Sequence, residues 1–291
     1  MTRSAIAFLF IVLLPSLANA GAWCMPKGAL YNKISQNTYY TSHSFDDDGN
    51  RQKNSEGSYF YDYNLTWYGE YGLLDDLSLF GTLPWKRLKS YYRFLDADGK
   101  RKKINATYNG LGDLETGFKY GLVREPLVLS VQGLTKLAWF YDGGEDVPPG
   151  NNQTDYELKL LAGKSLWPFP GYCGLELGYR WRFGAPSDEY RYLLEFGFNP
   201  SKKIYMRFKL DGIKSARNAK IRSAPASGPS EGYVTNPSLG LEYDLGKLEC
   251  TLGYQVSRPW SVELTYTANP YGKAISAGNQ LSAALVYYYS R

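Results

Sequence analysis

The feature that most constrains this chain is a two-residue period carried over long stretches. In "SYFYDYNLTWYGEYGL" at 58–73, Tyr59, Tyr61, Tyr63, Leu65, Trp67 and Tyr71 share one parity. Asp62, Asn64, Thr66 and Glu70 fall on the other. Successive side chains of a strand point to opposite faces, so this is a strand with one apolar and one polar face. The pattern returns at 172–184, where Cys173, Leu175, Leu177, Tyr179, Trp181 and Phe183 alternate with Glu176, Arg180 and Arg182. It returns again at 203–211, 239–245 and 260–266.

Two all-β architectures satisfy such strands. A soluble sandwich hides the apolar face and shows charge to water. A transmembrane barrel turns the apolar face to lipid and the charge to a lumen. The strand lengths favour the barrel, since about 9–11 residues cross a bilayer at a tilt. Aromatic residues near strand ends, such as Tyr59, Trp67, Tyr71, Tyr287 and Tyr289, match the girdles of such barrels. The first residues add an export signal. Arg3, the apolar run "AIAFLFIVLL" at 5–14 and the small-x-small site Ala18-Asn19-Ala20 read as a signal peptide over 1–20, cleaved before Gly21. Trp23 before Cys24 disfavours lipidation there.

The expected fold is therefore an antiparallel transmembrane β-barrel over 21–291, located in the outer membrane of a Gram-negative cell. Strands are expected at 28–42, 58–73, 77–94, 108–123, 127–142, 154–166, 172–184, 189–198, 203–216, 235–256, 260–269 and 280–290. That makes about twelve, within limits of ten to fourteen set by the long stretch 235–256. Short turns such as 73–76 and 199–202 alternate with longer polar links such as 43–57, 95–107, 143–153, 217–234 and 270–279. Barrels place short turns in the periplasm and long loops outside, with both chain ends in the periplasm. The link at 184–189 is short where a long one is due.

Two stretches imitate calcium loops, "FDDDGNRQK" at 45–53 and "LDADGKRKK" at 95–103. An EF-hand loop needs Gly at position six and Glu at position twelve. Counted from Asp46, Gly comes fourth and position twelve is Gly57; counted from Asp96, position twelve is Thr107. Both read as Asp-Gly hairpin tips of outer loops. Their basic tails, Arg51 with Lys53 and 100–103, read either as ordinary solvated charge or as directed toward an anionic outer leaflet. The spacing of Cys24, Cys173 and Cys250 matches no zinc motif. The residues call for no cofactor or metal, and mixed charge gives no case for a nucleic-acid partner.

The segments "GAWCMPKGALY", "FDDDGNRQ", "EYGLLDDLSL" and "GLGDLETGFKYGL" together resemble the XagA-like outer-membrane proteins, barrels linked to exopolysaccharide and biofilm loci. They are also similar to barrels of the MetA-type, phenol-pathway outer-membrane transporters. The resemblance implies a transport or export role.

The polar parity holds the candidate functional residues. Arg180, Arg182, Arg191, Arg207 and Lys209 come from three consecutive strands and would make one wall of the lumen positive, favouring anionic solutes such as acidic sugars. Glu242, Asp244, Glu249 and Glu263 would make the facing wall negative; Glu176 also points inside. Alternatively these charges pair across strands and fill a narrow interior. The expected function is a passive channel or export accessory for a polysaccharide or small solute. The alternatives are a structural or adhesive surface barrel with a charge-filled lumen and, third, an enzyme acting on outer-leaflet lipid. For catalysis the chain offers a single His, His43, beside Ser44, with no third group to orient it, so no catalytic residue is assigned. Oligomeric state is not legible. One outcome tests the export signal: N-terminal sequencing of the exported protein should start at Gly21, and a start at Met1 would contradict cleavage.

Overall fold

The computed structural model describes residues 21–55, 57–95, 98–220 and 241–290. The expected leader at 1–20, Asp96 in the second Asp-Gly tip, most of the link at 217–234 and the start of the expected tenth strand, 235–240, lie outside the described residues.

The chain forms strands β1 (Leu30–Thr41), β2 (His43–Phe45), β3 (Arg51–Lys53), β4 (Tyr59–Leu74), β5 (Leu77–Leu95), β6 (Arg101–Leu111), β7 (Leu114–Val123) and β8 (Val128–Leu137). There follow β9 (Asp155–Ser165), β10 (Gly171–Arg182), β11 (Glu189–Phe198), β12 (Ile204–Ser215), β13 (Asp244–Gln255), β14 (Trp260–Lys273), β15 (Ile275–Ser276) and β16 (Asn279–Tyr289). Chain neighbours pair antiparallel around one sheet, β1 pairs with both β4 and β16, and β4 pairs with β5, so the sheet closes. β6 and β7 are two halves of one stave along β5, which gives a closed antiparallel barrel of twelve staves.

Proline explains the divided stave. Pro84 lies within β5, and its carbonyl accepts from Gly112 N–H at 2.9 Å. The N–H and C=O of one strand residue point to the same neighbour, so the donor that proline lacks is missing on this same side. The ladder is interrupted there, between Leu111 and Leu114. Beyond the break, β5 and β6 continue as a hairpin, Leu95 opposite Arg101. The sequence suggests only a loop at 95–107, because polar residues on both parities hide the strand period. β13 is a single strand whose register with β14 shifts between Gly246 and Leu248, and this settles the stave count at twelve.

The two faces have opposite chemistry. Leu177, Leu264 and Leu281 on the outside are 53%, 52% and 55% exposed, whereas Lys119, Glu157 and Glu263 on the inside are 4%, 3% and 5% exposed. This is inverted relative to a water-soluble sandwich, and it suits a barrel whose outer surface is solvated by hydrocarbon. Aromatic pairs mark both edges of the apolar band: Trp260 with Tyr287 at the periplasmic end, and Tyr59 with Tyr91 at the outer end.

At the outer mouth β2, β3 and β15 form a small separate sheet. Phe45 and Ile275 of that sheet pack on Ile213, Tyr243 and Leu245. A second apolar cluster, Phe60, Leu88, Ala106 and Tyr108, receives Val147 from the link after β8. The outer connections therefore fold onto the barrel mouth and narrow it.

Cys173 on β10 and Cys250 on β13 are exposed, free thiols on the outer face. β11 and β12 stand between their strands. At about 4.8 Å per strand they are roughly 14 Å apart, whereas a disulfide needs Cα atoms within about 7 Å. A membrane-permeant maleimide should label both and a charged maleimide neither well. Mass spectrometry of the unreduced protein checks the geometry, since a 173–250 bridge would break the strand order.

Candidate functional site

The segment preceding β1 forms a strap across the periplasmic mouth. Ala22 O accepts from Ser130 Oγ of β8, Trp23 O from Lys119 Nζ of β7 at 2.9 Å, and Met25 N–H donates to Ser78 Oγ of β5 at 2.7 Å. Gly28 N–H then donates to Gly72 O of β4 at 2.8 Å. Small residues make this possible. A Cβ on Gly72 would lie 2.0 Å from Pro26 O, so only glycine lets the strap pass so close to β4. Met25 and Ala29 are buried against Tyr31 and Val286. The sequence reading puts Cys24 at the periplasmic end but does not foresee the strap; the run of small residues in "GAWCMPKGA" is the signal it leaves unused.

Above the strap lies an inner layer of paired charge. Glu263 of β14 meets Lys33 of β1 at 2.5 Å, Arg207 of β12 at 3.4 Å and the Tyr205 hydroxyl at 2.8 Å. Glu195 holds Lys209 at 3.1 Å and accepts from Tyr172. Glu70 holds Lys119 at 2.9 Å, and Glu176 holds Lys159 at 3.3 Å. Tyr205 can lie flat against the wall because Gly253 stands directly opposite; a Cβ there would be 2.0 Å from the ring.

An outer layer follows. Arg180 is gripped by Glu157 at 2.6 Å and Glu115 at 3.1 Å. Arg182 and Arg191 share Glu189 at 3.3 and 2.9 Å, and Tyr243 donates to the same carboxylate at 3.0 Å. Lys136 bonds Asp155 at 2.7 Å, and Lys86 faces Asp62 at 3.6 Å. These groups line a cavity of about 290 Å³ in the outer half of the lumen. Arg191 Nε, on the same wall, has no hydrogen-bond partner among the described residues.

The expectation of one positive and one negative wall is corrected. Each of Arg180, Arg182, Arg191, Arg207 and Lys209 has a carboxylate within 3.4 Å, so charge alternates around the lumen. Glu263 and Glu176 are luminal and paired; Glu249 stands opposite Lys209 on the neighbouring strand. Glu242 and Asp244 are not in the passage. Asp244 pairs with Arg217 at 2.9 Å at the outer rim, and Glu242 accepts from Ala219 N–H at 3.2 Å. Parity runs unbroken along this strand from Tyr243 and Leu245 to Glu249 and Thr251, so Tyr243 and Leu245 turn inward, where they pack with Phe45 and Ile275.

His43 lies on the outer sheet, where its Nδ1 is 3.2 Å from Ser42 Oγ. Asp46 closes the adjacent turn. Its carboxylate accepts from Asn50 N–H at 2.8 Å and Asp48 N–H at 3.0 Å, and these bonds hold it below the usual carboxylate range. Among the described residues no group of three or more His, Cys, Asp or Glu side chains could hold a metal ion.

No family model and no curated protein matches this sequence. Solved structures do. The COG4313 outer membrane channel from Pseudomonas putida F1 superposes with a TM-score of 0.68 over 93% of this chain and 98% of its own, at 14% identity. The NanC porin follows with a TM-score of 0.53 over 89% and 100%, at 9% identity. Likeness at such identity defines the fold: the chain is an outer-membrane-type β-barrel.

The inner layer yields a stability test. Glu263→Gln leaves Lys33 and Arg207 buried beside a neutral group, which should cost about 3–5 kcal/mol. Tyr205→Phe removes one hydrogen bond to the same carboxylate and should cost about 1 kcal/mol. Guanidinium midpoints of the folded band on unheated gels measure both.

Proposed function

We propose that the protein is a passive channel in the outer membrane that admits small polar solutes carrying charge. The observation that carries this reading is the cavity of about 290 Å³, open in the outer half of the lumen and lined by alternating cations and carboxylates. That volume is near the lower limit, about 300 Å³, of small-molecule sites. It suits a monosaccharide-sized solute better than a bulky chain. Alternating charge lets a solute exchange one partner for the next without leaving a bare ion in the lumen. The likeness of the sequence to exopolysaccharide-associated barrels makes acidic sugars the first solutes to try.

The strap favours a second reading, a closed barrel with a structural role at the surface, because it crosses the inner mouth on hydrogen bonds to several strands. Single-channel recording in planar bilayers separates the two. Stepwise current from the full chain supports the channel, and lasting silence supports the closed barrel.

In a conducting protein, Arg180→Gln, Arg182→Gln and Arg207→Gln together should bare Glu157, Glu115, Glu189 and Glu263. Reversal potentials in a salt gradient should shift toward cation selectivity. Unchanged selectivity would remove these arginines from the pathway.

A further inference from the structure

One sector of the barrel's outer surface differs from the rest. On β5 the lipid-facing positions run Leu79, Leu83 and Trp85 and then change to Arg87, Lys89, Tyr91 and Arg93. Arg87, Lys89 and Arg93 are exposed, while Leu88, Ser90 and Tyr92 between them are buried, so the cations project outward and not into the lumen. On β6, Lys103 stands opposite Arg93, and Asn109 stands opposite Arg87. On β4, Tyr63 is opposite Arg87, Tyr61 opposite Lys89 and Tyr59 opposite Tyr91.

Height decides what this surface meets. Trp85 is 53% exposed and donates from Nε1 to Asn109 Oδ1 at 3.0 Å, an amphipathic ring at the edge of the apolar band. Lys89 is four residues farther along a strand rising about 3.3 Å per residue and tilted about 40°. It therefore sits roughly 10 Å beyond that edge, at headgroup level.

Charge decides the chemistry. No outward position of β4, β5 or β6 in this sector holds Asp or Glu. Arg87, Lys89 and Lys103 have no carboxylate partner among the described residues. The tyrosines pre-order the surface: Tyr59 stacks on Tyr91 at 5.4 Å, Lys89 lies over Tyr59 at 5.7 Å, and Arg93 donates to the Tyr91 hydroxyl at 2.8 Å. At the outer ends of β9, β10 and β11 the outward positions are aromatic, Tyr156, Trp181 and Tyr190, and β12 carries a single cation there, Lys214 opposite Tyr190.

We propose that Arg87 and Lys89, set among Tyr59, Tyr61 and Tyr91, form a binding site for a phosphate group of an outer-leaflet glycolipid. Guanidinium and ammonium groups bind phosphate through charge-assisted hydrogen bonds, and tyrosine rings offer flat faces to sugar. The site rests on the outer-membrane placement argued above, and it lies outside the lumen, so the two can fail separately.

The test is native mass spectrometry of the folded, detergent-solubilised full chain with bisphosphorylated lipid A, with the same glycolipid stripped of phosphate, and with an acidic oligosaccharide. The variant carries Arg87→Gln and Lys89→Gln. The wild type should bind the phosphorylated lipid at least tenfold more tightly than the phosphate-free one, and the variant should lose that preference. Arg87→Lys should retain most of it. Equal binding of both lipids, equal binding by the variant, or binding of the oligosaccharide in place of the lipid would overturn the site. A variant that keeps heat-dependent gel mobility and the wild-type bilayer current shows that any loss is local. A chain that never gains heat-dependent mobility or enters bilayers overturns the membrane placement and the site together.

Discussion

The closure of the main sheet on itself governs this molecule. In hydrocarbon an unpaired backbone N–H or C=O has no water to turn to, and each would cost several kcal/mol. The contacts of β1 with β16 and with β4 close the sheet, and among its strands β6 alone pairs on one side only, with β5. Once the sheet is closed, alternation does the sorting. Alternate positions along a strand are given to lipid and to the interior. The same constraint makes Pro84 costly, and the break between β6 and β7 confines the missing hydrogen bond to one place.

An interior walled by charge is stable only because the charges are matched. A lone ion in a narrow lumen would lose most of its hydration, whereas a pair held at hydrogen-bond distance recovers part of that loss. Tyrosine hydroxyls on Glu263, Glu195 and Glu189 supply further donors. The resulting layers tie together staves far apart in sequence, such as β1, β12 and β14 at Glu263. Local charge balance also keeps the net charge of the lumen wall low.

Much of the barrel was legible in the sequence, because strands with one face in lipid must alternate. The staves from β8 to β12 lie where the period places them, and the Asp-Gly tip at Asp46 is the turn that its residues imply. Three features were hidden for physical reasons. The strap has no period, since its backbone bonds to side chains and strand ends. The outer half of β6 carries polar residues on both faces, so its alternation has no hydrophobic contrast. The sides taken by Glu242 and Asp244 were inverted because the apolar Tyr243 and Leu245 face inward, onto Phe45 and Ile275 of the outer sheet, and not toward lipid. Which cation faced which carboxylate was also illegible: parity puts both inside, but only register and side-chain reach decide their partners.

The position of the strap has a consequence for biogenesis. It belongs to the first residues of the described chain, whereas the seam that completes the cylinder joins the first stave to the last. A segment bonded to β4, β5, β7 and β8 from within must already be in place when that seam forms, or be threaded afterwards through a mouth it fills. Enclosure is the simpler order of events. The earliest part of the described chain then acts as an internal template around which the wall is wound, and the slow, long-range joining of the two end strands becomes the step that traps it.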